Sequence, residues 1–130
     1  MHLKIVTHEK VVYDDNVEEI YSKGIDGEFG VLKNHIPFMT ALDVGVTKVV
    51  KDGETKLFTT MGGIFQYADE EAVILTNSSE CGDDIDVNRA KEAKERAEQR
   101  LHDNNEDIDE HRAEAALSRA LTRLKAAQTK

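Results

Sequence analysis

Between residues 84 and 124 the chain writes nearly the same helix twice. Set over one another at an offset of 23 residues, DIDVNRAKEAKERAEQRL (84–101) and DIDEHRAEAALSRALTRL (107–124) agree at ten of eighteen positions. The agreeing residues are Asp84, Ile85, Asp86, Arg89, Ala90, Ala93, Arg96, Ala97, Arg100 and Leu101, each with its copy. They recur in steps of three and four, the spacing of a helix face. A short polar link from His102 to Glu106 separates the copies, so the repeat predicts an antiparallel two-helix hairpin.

Each copy carries its own start signal. Asp86 and Asp109 are placed to accept bonds from otherwise free amides and to answer the positive end of the helix dipole. Ile85 before the cap and Ala90 after it have the spacing of a hydrophobic staple, which Ile108 and Ala113 repeat. The predicted helices run from about Val87 to His102 and from about Glu110 to Gln128. Their apolar stripes are mostly alanine: Ala90, Ala93, Ala97 and Leu101 on one, Ala113, Ala116 or Leu117, Ala120 and Leu124 on the other. At about 25 cal/mol per Å² so little buried area predicts helices that approach closely and part at modest cost.

The arginines have a phase of their own. Arg89, Arg96 and Arg100 line one stripe roughly a quarter turn from the alanines, and Arg112, Arg119 and Arg123 copy it. If the like helices pair with pseudo-twofold symmetry, all six share a face. Pairs along a helix, such as Glu92 with Arg96, account for single arginines at about 0.3–0.5 kcal/mol each. The array as a whole points instead to an anion, either a phosphate or an acidic protein surface, which guanidinium holds in a bidentate fork.

Upstream the composition changes abruptly. All seven aromatics, all eight glycines and the only proline lie at or before Gly82, and all six arginines lie after it. Charges split 7 basic against 14 acidic over residues 1–82 and 10 against 12 over 83–130. Two units are therefore expected, 1–82 and 83–130, joined by the acidic link from Glu80 to Asp84.

The first unit consists of short runs rich in Val, Ile, Thr and aromatics, punctuated by turn residues. Strands are predicted at about 2–8, 10–14, 16–24, 29–32, 38–42, 44–51, 55–60, 63–67 and 71–76. Asp52-Gly53 inside VGVTKVVKDGETKLFTT is a two-residue hairpin turn. Many short strands without helices between them imply antiparallel sheets packed face to face, a β-sandwich or flattened barrel.

Several function classes fall away. A net charge of −9 disfavours nucleic-acid backbones, which need clustered positive charge. No apolar run approaches the about 20 residues of a membrane span, and MHLKIVTHEK lacks the layout of a signal peptide, so a cytoplasmic location is expected. Cys81 is the only cysteine, which excludes an internal disulfide. His2, His8 and His35 have no metal-ligand spacing, and no nucleophile, base and orienter are grouped, so no catalytic or metal residue is assigned. Neighbouring acids such as Asp14-Asp15 and Glu70-Glu71 read as solvated strand ends. The glycines of Gly24-Ile-Asp-Gly-Glu-Phe-Gly30 precede no helix and no P-loop lysine, and read as a turn.

Two runs carry a family resemblance. Gly27-Glu-Phe-Gly-Val-Leu-Lys-Asn-His-Ile-Pro37, and Gly62-Gly63-Ile64-Phe65 before the strand around Val73-Ile74-Leu75, resemble the amino-terminal domain of the ε subunit of F-type ATP synthases. The resemblance covers essentially the whole chain, with Lys33 standing where the family usually has proline. It implies a sandwich of about ten strands followed by the helical hairpin. It also implies a non-catalytic rotor subunit on the cytoplasmic face of the bacterial cell membrane, with the γ subunit, the c-subunit ring and the β subunit as partners. His35 and Pro37 then belong to a docking loop, or simply shape a turn. Ile85-Asp86-Val87-Asn88-Arg89-Ala90 looks like the I/L-D-x-x-R-A motif with which some relatives bind ATP, which would also engage Glu80, Arg96, Arg119 and Arg123. Arg112, Arg119, Arg123 and Lys125 would meet the β subunit when the hairpin extends. No cofactor is required on this basis; ATP is a regulatory ligand. The alternative is a free-standing ATP-sensing module built on the arginine face.

Overall fold

The computed structural model describes residues 1–103 and 110–127. A single long hairpin organises the first unit. β5 (Phe38–Lys51) and β6 (Glu54–Ala68) pair antiparallel in one register from Phe38 opposite Tyr67 to Lys51 opposite Glu54. The expected Asp52-Gly53 turn closes them, with φ of 51° and 77°; two positive φ values match the twist of the flanking strands.

These strands correct the count of about ten to seven. The predicted pairs 38–42 with 44–51, and 55–60 with 63–67, are each one strand. Asp43 and Gly62-Gly63 lie at mid-hairpin and bend it without ending it. Gly62 and Gly63 have φ of 77° and 124°, and a Cβ on Gly63 would lie 2.0 Å from the Leu75 carbonyl oxygen. Only glycine combines that conformation with that approach.

The remaining strands, β1 (His2–Val6), β2 (Val11–Asn16), β3 (Glu19–Gly24), β4 (Gly27–Leu32) and β7 (Glu71–Leu75), extend the hairpin on both sides. The order is β2-β1-β7-β6-β5-β3-β4. β1 and β7 run parallel, the one departure from the antiparallel expectation. The bent sheet folds its two halves over a common core of Leu3, Ile5, Ile20, Val31, Val49, Phe58, Phe65 and Ile74. Edge-on aromatic contacts join the halves: Phe29 to Phe65 at 5.0 Å and Tyr13 to Phe58 at 5.1 Å.

A single 3-10 turn, Gly82–Asp84, leads to α1 (Val87–Asp103) and α2 (Glu110–Ala127). α1 packs against α2, and α2 against β5, β6 and the 3-10 turn. The alanine seam is present: Ala90, Ala97, Ala113 and Ala120 are buried, whereas Ala93, Ala116 and Leu101 are half-buried. The second start signal, Ile108 and Asp109, and most of the link lie outside the described residues, as does Gln128.

Candidate functional site

The link that carries the hairpin is knitted to the sandwich. The Met61 amide donates to the Ser78 carbonyl at 3.1 Å and the Thr59 amide to the Glu80 carbonyl at 2.9 Å. The Glu80 amide returns a bond to Thr59 Oγ1 at 3.0 Å. Glu80 is thereby fixed, and its carboxylate accepts from Arg123 Nε at 2.8 Å, tying α2 to the link. Two residues that the family motif grouped as nucleotide ligands are thus ion-paired with each other, 43 positions apart. The pair engages the last arginine of the predicted face, while Arg89, Arg96, Arg100, Arg112 and Arg119 are exposed.

The Ile-Asp-x-x-Arg-Ala motif divides by role. Asp86 Oδ1 accepts from the Arg89 amide at 3.1 Å and caps α1 as expected. Ile85 and Ala90 are buried with Ala126 and Ala127 in a satellite core to which Val46, Leu57, Val87 and Leu124 contribute. The hairpin is therefore sealed to the sandwich at its hinge end. Farther along α2, a groove of about 370 Å³ opens between Leu117, Leu121, Thr122 and Lys125 on the helix and Val44 and Val46 on β5.

A second surface forms around the loop after β4. Asn34 has φ 66°, and its amide donates to Glu70 Oε1 at 2.9 Å. The Tyr67 hydroxyl donates to the same oxygen at 2.7 Å. These bonds, the tyrosine's first, hold the Glu70 carboxyl below its ordinary range, and the Glu70 bond pushes the Tyr67 hydroxyl up. His35 rests 5.9 Å from both the Phe38 and Tyr67 rings, and its Nδ1 donates to the Ile36 carbonyl at 2.6 Å. Pro37 is exposed, and Ile36 and Met39 are 75% and 67% exposed.

Beside this loop, outward positions of β5, β6 and β7 carry Met39, Ile64 and Leu75, with Ile64 directly opposite Leu75. Pro37, Phe38, Met39 and Val73, with the polar Gln66 and Glu71, line a shallow depression of about 530 Å³. A solvent-facing sheet surface is normally polar, and the exposed Met39, Ile64 and Leu75 depart from that pattern, with Gln66 opposite Met39. Sequence reasoning singled out His35 and Pro37 in this loop but read Glu70 as a solvated strand end, which the Asn34 and Tyr67 bonds correct, and it did not single out Tyr67; the local signal was the tight Asp69-Glu70 turn. Both turn residues have positive φ.

Among the described residues no group of three or more His, Cys, Asp or Glu could hold a metal ion, and no helix is long and apolar enough to cross a membrane.

Comparison with known proteins gives a consistent family. Residues 1–82 match the ATP synthase, Delta/Epsilon chain, beta-sandwich domain, and residues 83–128 match its long alpha-helix domain. The ATP synthase epsilon chain of Nitratidesulfovibrio vulgaris is 43% identical over 125 residues, covering 96% of this chain and 93% of the relative. That of Desulforamulus reducens is 44% identical over 126 residues, covering 97% and 96%. A chain in the Euglena gracilis mitochondrial ATP synthase, solved as OSCP/F1/c-ring in rotational state 1, shares the fold with a TM-score of 0.82. It is 23% identical, covering 97% of this chain and 79% of that one. The chain belongs to the ATP synthase Delta/Epsilon chain family, whose members are non-catalytic stalk subunits with a β-sandwich and a helical hairpin.

Proposed function

We propose that this chain is the rotor subunit that joins γ to the c-subunit ring at the cytoplasmic face of the bacterial cell membrane, and that its hairpin restrains ATP hydrolysis. The observation that carries the docking role is the apolar outer face of Met39, Ile64 and Leu75 beside the pinned loop of His35, Ile36 and Pro37. A similar fold in a complex described with a c-ring supports the same partner. Co-purification under native conditions tests it. The chain should elute with γ, and failure to bind would leave only the free-standing sensor.

The regulatory half rests on the hairpin. In the folded state Arg123 is held on Glu80, and Arg89, Arg96 and Arg119 are exposed, a donor set whose chemistry suits a polyphosphate. ATP bound to this form would favour it by mass action. When the hairpin opens, Arg112, Arg119, Arg123 and Lys125 are freed to meet an acidic surface of the β subunit. Isothermal titration of the isolated chain with ATP checks this. Binding is expected in the wild type, and Arg89→Ala should weaken it about tenfold or more, as loss of a charge-assisted contact does. No heat with the wild-type chain would remove ATP from the account.

A further inference from the structure

Gly82 stands where α2 comes closest to the link. A Cβ built there would lie 2.2 Å from the Ala126 carbonyl oxygen and 2.9 Å from its carbon, with the Leu57 carbonyl oxygen at 3.3 Å. These are backbone atoms on two sides and cannot swing away as a flexible side chain could. Gly82 is buried and is not among the glycines with positive φ, so an alanine could adopt its backbone conformation. The requirement for glycine is therefore one of space, and that space is filled by the last turn of α2.

The location gives this contact leverage. The link before Gly82 is bonded to β6, so the socket belongs to the rigid sandwich. Ala126 and Ala127 are buried beside it with Ile85 and Ala90, and Arg123, one turn earlier on α2, reaches Glu80, two residues before the glycine. Farther up α2 the open groove leaves Leu121 44% exposed. α2 also packs along β5 and β6, but at this end its backbone comes within a few ångströms of a missing side chain.

We propose that Gly82 is the socket that seats the C-terminal turn of α2, and that its lack of a side chain is what permits the hairpin to fold onto the sandwich. A methyl group there meets backbone that the packed interior cannot move, so the cheapest relief is for α2 to lift away. Gly82 acts as a positioning residue: it lets Arg123 reach Glu80 and so sets the closed state. This inference deepens the regulatory reading above but does not need ATP.

Full-length wild-type, G82A and D83A chains, without nucleotide, provide the test. Asp83 is the exposed neighbour in the same turn, so D83A alters the link without filling the socket. Small-angle scattering should give a larger radius of gyration for G82A alone. Amide exchange across α2 should accelerate about tenfold or more in G82A while β1–β7 keep their protection, the pattern of a locally released element. Unchanged α2 protection in G82A would overturn the proposal. So would equal loosening in D83A, or loss of protection throughout the sandwich, which would make Gly82 a residue of the sandwich fold itself. A wild-type chain that binds no ATP would defeat nucleotide sensing yet leave these results standing.

Discussion

Glu70 shows how one side chain shapes a surface it does not occupy. Its carboxylate collects the Asn34 amide and the Tyr67 hydroxyl, so a strand-turn residue fixes a loop 36 positions away. Glu70→Ala should speed amide exchange at residues 33–36 by about tenfold and leave the β5–β6 ladder protected, because the loop loses a backbone amide bond whereas Tyr67 loses only a side-chain one. Exchange mass spectrometry reads this directly. At the sheet edge, His2 Nδ1 bonds Asn16 Oδ1 at 3.1 Å and Nε2 pairs with Asp14. The Asn16 bond first, then Asp14, raises the His2 pKa above 6.5. Because the folded pKa is the higher one, the contribution is fully present below the ordinary value and is lost as pH rises through the folded value. His2→Gln should therefore lower the thermal midpoint at about pH 5 and cost progressively less toward about pH 9. The Asp15 carboxylate, 2.5 Å from Lys51 Nζ, is held low by that bond and behaves oppositely. Its stabilisation is present above the ordinary carboxylate range and lost as pH falls through the folded value.

At the scale of elements, what could be read from the sequence was what local chemistry decides. The Asp52-Gly53 turn and the start of α1 followed from residues within a turn of themselves, and both occur as expected. Asp86→Ala should cost about 1 kcal/mol of helix stability through loss of the cap, measured as a lower denaturation midpoint for α1. The merged strands were hidden because Gly62-Gly63 looks like a loop until Leu75 is seen packed against it. Gly63→Val should cost about 3 kcal/mol or more in urea unfolding, since it combines a forbidden φ with a backbone clash. The parallel β1–β7 pair was equally hidden, being a pairing of the first and last strands that no local signal encodes. Glu80 and Arg123 entered as ligands through family resemblance, and nothing local revealed that they contact one another.

For the whole molecule, the contrast between its parts is the functional statement. The sandwich has a continuous core and hydrogen-bonded strands, whereas among the described residues the hairpin is seated by alanines, the partly exposed Arg123–Glu80 pair and a small satellite core. Such a pair contributes about 0.2–1 kcal/mol, so the hairpin should open well before the sandwich unfolds. A rigid platform with an apolar face and a releasable arm suits a subunit that stays docked while its helices change position. The docking claim is tested most directly by native gel filtration of the chain with γ, using wild-type and Ile64→Asp forms that melt at the same temperature. Wild type should co-elute with γ and the Ile64→Asp chain should run alone; co-elution of both, or of neither, would contradict the account.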